Sequence, residues 1–149
     1  MKQLLVVTAV AAFLAGLQPP SAVHAAAPEM RAGNVKVTLR YTGKGTVDSS
    51  HKLWLWLFDT PNIGAQSMPI DQISLDKNDA DAVFEGVMPS QVWLAVAFDQ
   101  QGAMTGNEPP PSGSPIGIWS GGTPGPPAPI TPGEKAIITL AFDDSLRMP

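Results

Sequence analysis

Residues able to move a proton, attack an electrophile or hold a metal are sparse in this chain. Its 149 residues include no cysteine and only 2 histidines, His24 and His51. A Ser–His–Asp arrangement would have to use His51. That residue stands at the start of an expected strand, and no G-x-S-x-G elbow occurs anywhere. Ser49 and Ser50 lack a neighbouring base. The carboxylates Asp76, Asp79, Asp81 and Glu85 lie close in sequence. Two such groups about 5 to 10 Å apart can hydrolyse glycosides, provided one is held protonated. The segment DKNDAD, however, has turn composition, and nothing apolar beside it would raise a carboxyl pKa. Asp143 and Asp144 read the same way. With so few imidazoles and no thiolate, zinc and copper sites are excluded. No catalytic residue and no cofactor is expected, and a hydrolase is the weakest of the functional readings.

The stronger chemical signal is aromatic. Trp54 and Trp56 are two residues apart in LWLWLF, so on a strand they share one face while Leu53, Leu55 and Leu57 take the other. An open pair of indoles forms a platform for sugar rings or for a protein partner. A covered pair forms a second small core. Proline rings pack well on indole faces, and the long proline-rich segment that carries Trp119 is the expected cover. Trp54, Trp56 and Trp119 are therefore the candidate ligand or partner surface, with the covered arrangement favoured because large exposed apolar patches are rare.

Strands must position these residues. Val35, Val37, Leu39 and Tyr41 alternate with Lys36, Thr38 and Arg40, the period of a half-buried strand over 34–41. Thr42-Gly43-Lys44-Gly45 is a turn signal. Leu53–Phe58 is apolar on both faces and fits a central strand. Further strands are expected at 68–75, with Pro69 marking an edge, and at 82–87, 92–98, 116–119 and 136–142. No helical spacing recurs after residue 25. Seven short strands separated by turns predict an all-β, antiparallel, seven-stranded sandwich over residues 34–149. Residues 108–133 hold 9 prolines and 6 glycines. Proline lacks a donor and fixes φ, so most of this segment should run as an extended loop across the sandwich.

Three stretches, VKVTLRYTGKG at 35–45, FEGVMPSQVWLAVAFDQQG at 84–102 and AIITLAFDD at 136–144, carry a family resemblance. The middle one is similar to the F-x-x-[VL]-P-x-G-x-Y-x-[LV]-x-[VA] signature of prealbumin-like modules, including carboxypeptidase regulatory-like domains. Phe84, Val87 and Pro89 match it. Ser90 replaces the usual glycine, Val92 or Trp93 the usual tyrosine, and Met88 is an insertion. The resemblance implies a prealbumin-like or Ig-like sandwich used as a non-catalytic binding or spacer module of exported proteins. Many such modules follow the long strand with an acidic loop that resembles a calcium site. Here that loop offers Asp99, Asn107 and Glu108, short of the six to eight oxygens calcium takes. A hairpin shaped by Asp and Gly is the competing reading.

The start of the chain sets the expected address. Leu4–Leu17 is uncharged, follows Lys2, and at 14 residues is too short to span a bilayer that needs about 20. Gln18-Pro19-Pro20-Ser21 breaks it, and small residues follow. This is a signal peptide over residues 1–25, cut after Ala25 or after Ala27. Residues 26–33 are a polar leader. No cysteine near the cut can take a lipid, and no second long apolar run would keep the chain in a membrane. Periplasmic or secreted is the expected localisation. Loss of Lys2 leaves 8 basic against 13 acidic residues, a net −5 that argues against nucleic acid. The function expected is a binding or accessory module of the bacterial envelope, with protein or saccharide as partner. The alternative is a structural docking component of an envelope assembly.

Overall fold

The computed structural model describes residues 32–149. The expected signal peptide, its cut at Ala25 and most of the leader lie outside the described residues. Seven strands follow in order: β1 (Gly33–Tyr41), β2 (Leu53–Phe58), β3 (Asp71–Leu75), β4 (Ala80–Val87), β5 (Trp93–Phe98), β6 (Ile116–Ile118) and β7 (Ile137–Phe142). The described residues contain no helix, and so none long and apolar enough to cross a membrane.

The strands form two sheets, ordered β4-β1-β7 and β3-β2-β5-β6. Period-two alternation does the sorting. Val35, Val37, Leu39 and Tyr41 of β1 point inward with Ala82 and Phe84 of β4 and Ile138, Leu140 and Phe142 of β7. From the other sheet, Leu53, Leu55, Leu57, Leu94, Val96 and Phe98 meet them in one core. Each large aliphatic or aromatic side chain buried there contributes about 1.5–3 kcal/mol. A single core without disulfides or metal is enough to hold a domain of this size.

The expectation of a wholly antiparallel fold is corrected at one pair. β1 runs antiparallel to β4 but parallel to β7, with Lys36 opposite Ile137 and Tyr41 opposite Phe142. Hydrophobic period fixes which face a strand buries and says nothing of the direction of its neighbour. The strand expected over 68–75 starts only at Asp71, because Met68–Ile70 is drawn into the preceding loop.

The proline-rich segment also departs from expectation. It does not lie across the indoles of β2. It follows the edge of β5, where Trp119 N donates to Leu94 O (3.0 Å) and Val92 and Ile130 exchange two bonds (2.9 and 2.8 Å). Ile130 enters the core, and Trp119 packs against that same core. Gly133 N then donates to Asn34 O (2.9 Å), delivering the chain to the start of β1 and β7. The second half of this segment is thus anchored at β5 and β1 by the few donors it retains. Beyond β7 the C-terminal segment returns alongside β6. Ile116 N donates to Leu146 O (2.9 Å) and Met148 N to Ser114 O (2.9 Å), and Arg147 Nη1 reaches Gly113 O (2.6 Å).

Tyr41 closes one end of the core. Its ring stacks on Phe98 (centroids 4.4 Å apart) and tilts against Phe142 (5.1 Å), while its hydroxyl donates to Asp144. Burial, reinforced by that carboxylate, pushes the phenol above its ordinary range. The same hydroxyl, with Lys44 N (2.9 Å), holds Asp144 below the usual carboxylate range.

Candidate binding groove

The outer face of the four-stranded sheet carries the aromatic residues. The pairing registers set Trp54 opposite Ala97 and Trp56 opposite Ala95 on β5, and these alanines opposite Ile116 and Ile118 on β6. Large indoles thus stand beside a row of methyls, and the two rings lean together with centroids 6.2 Å apart and planes 15° from parallel. Trp56, Phe58 and Ala97 are buried on this face. Trp54, Ala95, Met104 and Ile116 pack around them, half-buried.

The cover is the loop after β5, not the proline-rich segment proper. Asp99 is only 3 % exposed, and its carboxylate organises that loop. It accepts from Gln101 N (3.3 Å), Ala103 N (3.1 Å) and Met104 N (2.8 Å). Asp99 N itself donates to Lys52 O (2.9 Å). The loop so shaped brings Gly106 over the indoles, where its carbonyl accepts from Trp56 Nε1 (2.9 Å). Gly106 has φ +86°, and a β-carbon there would collide with the Trp54 ring and the Gln72 amide. Gln72 Nε2 also donates to Asn107 Oδ1 (3.3 Å), fastening the loop to β3. Trp54 Nε1 is buried under this cover without a partner among the described residues.

This geometry answers the calcium expectation. Asp99 spends both carboxylate oxygens on backbone amides, Asn107 is committed to Gln72, and Glu108 stands exposed beyond the turn. Among the described residues no three acidic or imidazole side chains converge on a point that an ion could fill. The set does not fit calcium, and the loop is an Asx-shaped turn.

Beside the covered indoles the face opens into a groove of about 220 Å³. Its floor is Trp56, Phe58, Ala95 and Ile116. Ile63, Met68 and Pro69 wall one side, and Pro109 and Pro110 the other. The first wall is held by its own bonds: Ser67 Oγ donates to Asn62 O (2.8 Å) and accepts from Gly64 N (2.9 Å). The second wall hangs from the Gly106 cover. Met68 is 81 % exposed at the rim. The groove is apolar, and polar groups enter it only at Gln66, Ser67, Asn107 and Glu108.

The other candidates fall elsewhere. Trp119 sits on the core side of the molecule, away from Trp54 and Trp56. His51 lies in an open cleft with Lys44, Asp48 and Gln100. Its Nδ1 is 3.0 Å from Asp48 Oδ1, which also accepts from Ser50 N and His51 N (both 2.8 Å). Those backbone donors, His51 N first, hold Asp48 below the ordinary carboxylate range. No hydroxyl bonds to His51 among the described residues, and Asp48 closes the turn that carries it. Asp79, just before β4, pairs with Arg40 (3.3 Å), and Asp81, within it, pairs with Lys36 (2.7 Å). The Lys36 ammonium and the Thr38 hydroxyl hold Asp81 below its usual value, the opposite of what a general acid needs.

The groove draws on segments far apart in the chain, and the sequence reading missed it. One signal was present. Ala-x-Ala in β5 and Trp-x-Trp in β2 are what adjacent strands use to leave room above a sheet.

No family model matches the chain, and no curated protein matches it. Among solved structures it is similar to a pilus-presented adhesin, Spy0125 (Cpa), at 14 % identity over 75 % of this chain, with a TM-score of 0.31. The match spans 26 % of that protein's chain. A superposition this loose transfers neither function nor fold family.

Proposed function

We propose that this chain is an exported, non-catalytic binding module of the bacterial envelope, acting in the periplasm or outside the cell, with the β2–β5–β6 groove as its binding surface. The finer fold reading that goes with it is a prealbumin-like or Ig-like sandwich. The observation that carries the reading is the groove itself: apolar floor, two built walls, and an exposed methionine at its rim. A protein partner suits it better than a saccharide. Sugar recognition needs an open ring face and converging hydrogen-bond partners, whereas Trp56 is buried and its N–H is engaged by Gly106. Methionine and proline on the walls suit an apolar side chain of a partner protein, because thioethers repack around irregular shapes.

Two-dimensional NMR of labelled protein tests this, with short peptides centred on Leu, Phe or Trp as one probe and chitin and cellulose oligomers as another. Peptides should shift Ile63, Met68, Ala95 and Ile116 together, and Met68→Glu should abolish the response while leaving stability unchanged. Shifts from the oligosaccharides alone, or shifts centred on the His51 cleft, would sink the assignment.

A further inference from the structure

We infer that the groove takes a cationic segment of a partner protein: one large apolar side chain on the Trp56–Phe58 floor, with an arginine or lysine beside it that pairs with Glu108. The inference rests on the reading of the groove as a protein-binding surface and adds the charge of the partner. A cavity of roughly 150 Å³ takes a benzene ring. The groove, at about 220 Å³, therefore has room for one large side chain. What stands beside that side chain is set by the charges around the groove.

Those charges are negative. Residues 53–134 contain nine acidic residues and one base, Lys77. All four strands of the β3-β2-β5-β6 sheet and both walls of the groove come from this stretch. Lys77 follows Leu75, which pairs with Leu53 at the end of β2 away from Phe58. The other bases of the described residues stand elsewhere. Lys36 and Arg40 are on the three-stranded sheet, in ion pairs with Asp81 and Asp79. Lys44 shares the cleft of His51, Lys52 precedes β2 and Lys135 precedes β7. Arg147 adjoins Met148 of the groove lining, but its guanidinium is spent on Gly113 O (2.6 Å) and Asp144 (3.6 Å).

Three carboxylates belong to the segments that build the groove. Glu108 lines it, Asp59 follows the floor residue Phe58, and Asp71 comes two residues after the wall residue Pro69. All three are exposed, and none is in an ion pair among the described residues. Glu108 is also the most firmly placed. Asn107 before it is fastened to Gln72 (3.3 Å), and Pro109 after it confines its backbone to extended geometry. That backbone has little freedom left to lose when a cation arrives. An acidic or phosphorylated segment would meet like charges with no base to offset them. Rim charges of this kind act on partner choice and association rate more than on affinity.

NMR titration of the labelled exported chain tests the inference, with shifts read at Ile63 and Ile116. The probes are three capped pentapeptides, Gly-Arg-Phe-Arg-Gly, Gly-Ala-Phe-Ala-Gly and Gly-Glu-Phe-Glu-Gly. At low salt the arginine peptide should bind at least roughly fivefold more tightly than the alanine peptide, and the glutamate peptide most weakly. In about 1 M salt, where the Debye length is about 3 Å, the difference should shrink to within about twofold. Glu108→Gln should cut the preference for arginine over alanine by roughly threefold. Glu108→Lys should bring the glutamate peptide to within about twofold of the arginine peptide. Asp76→Asn, which removes the same charge at the far end of β3, should leave the preference within about twofold of its starting value. Equal binding of all three peptides at the groove, or a preference that survives Glu108→Gln unchanged, overturns the inference and leaves the groove reading standing. No shift at Ile63 or Ile116 with any peptide overturns both. Octylammonium moving these residues where no peptide does would assign the groove to a lipid-like chain, which overturns both as well.

Discussion

On the three-stranded sheet, the row turned away from the core is Asp81, Val83 and Glu85 on β4, Lys36, Thr38 and Arg40 on β1, then Ile137, Thr139 and Ala141 on β7. On the four-stranded sheet, the corresponding rows are Gln72 and Ser74, Trp54 and Trp56, Ala95 and Ala97, then Ile116 and Ile118. The first face is finished by water and by ion pairs between side chains that are each about half exposed. The second cannot be finished that way, because two indoles and a phenyl left in water would forfeit their burial. It needs a third layer, and the Asp99 loop supplies one that leaves Trp56 only 5 % exposed and covers Trp54 in part. The groove is where that layer stops. An alternating strand ends its own story at the sheet, whereas a strand apolar on both faces commits some distant loop to come back over it.

The largest break in this comparison should come from Trp56→Ala. It deletes a buried ring from the outer face and orphans the Gly106 carbonyl. A loss of about 3–5 kcal/mol is expected in urea unfolding, as for a tryptophan of the inner core. A loss under about 1 kcal/mol, the scale of a surface site, would mean that the outer aromatic layer is decoration and the loop stands without it.

β1 shows how far the residues alone could carry this picture. Its inward row was legible because strict alternation on a half-buried strand has one solution. LWLWLF was legible as a doubly covered strand for the same reason. The identity of the cover was not. Proline density pointed to residues 108–133, yet a segment so poor in donors is held wherever its few remaining N–H groups find carbonyls, here at β5, at β1 and on the C-terminal segment. For Asp99 the sequence offers two readings, a calcium ligand in a loop short of oxygens and a residue that shapes a turn. Its partners are amides two to five residues on, a local signal that an Asp before a Gly-containing turn carries on its face. The parallel β1–β7 pair and the groove both depend on which strands become neighbours, and side-chain period does not encode that.

A middle-sized effect should separate the two walls of the groove. Gly106→Ala forces a side chain into a left-handed backbone position and against the Trp54 ring, and about 1–3 kcal/mol of stability should go. Gly64→Ala in the opposite wall meets open space at an ordinary backbone angle and should change stability by less than about 0.5 kcal/mol. Thermal melts of the two variants decide the matter. Equal losses would mean that the Gly106 contact is not what seats the loop.

The smallest effect belongs to the charged face and is a matter of pH. Asp81, through the Lys36 ammonium and the Thr38 hydroxyl, and Asp144, through the Tyr41 hydroxyl, both titrate below their ordinary range in the folded chain. An unfolded carboxylate of this type titrates near about 3.9. A depressed folded pKa gives stability that is present above the unfolded value and is lost as pH falls through the folded one. The acid limb should therefore begin at about pH 4 and steepen below it. Asp81→Asn with Asp144→Asn should flatten that limb by lowering the melting temperature at neutral pH modestly towards its acid value, since the stability these carboxylates give is present there. Trp56→Phe, on the other face, should lower the whole curve without altering its slope, because nothing it touches titrates in that range. Melting curves taken from neutral pH down to about pH 2 distinguish the two. If the asparagine double variant keeps the wild-type slope, the acid sensitivity lies elsewhere, and the charged face is only a solvated surface.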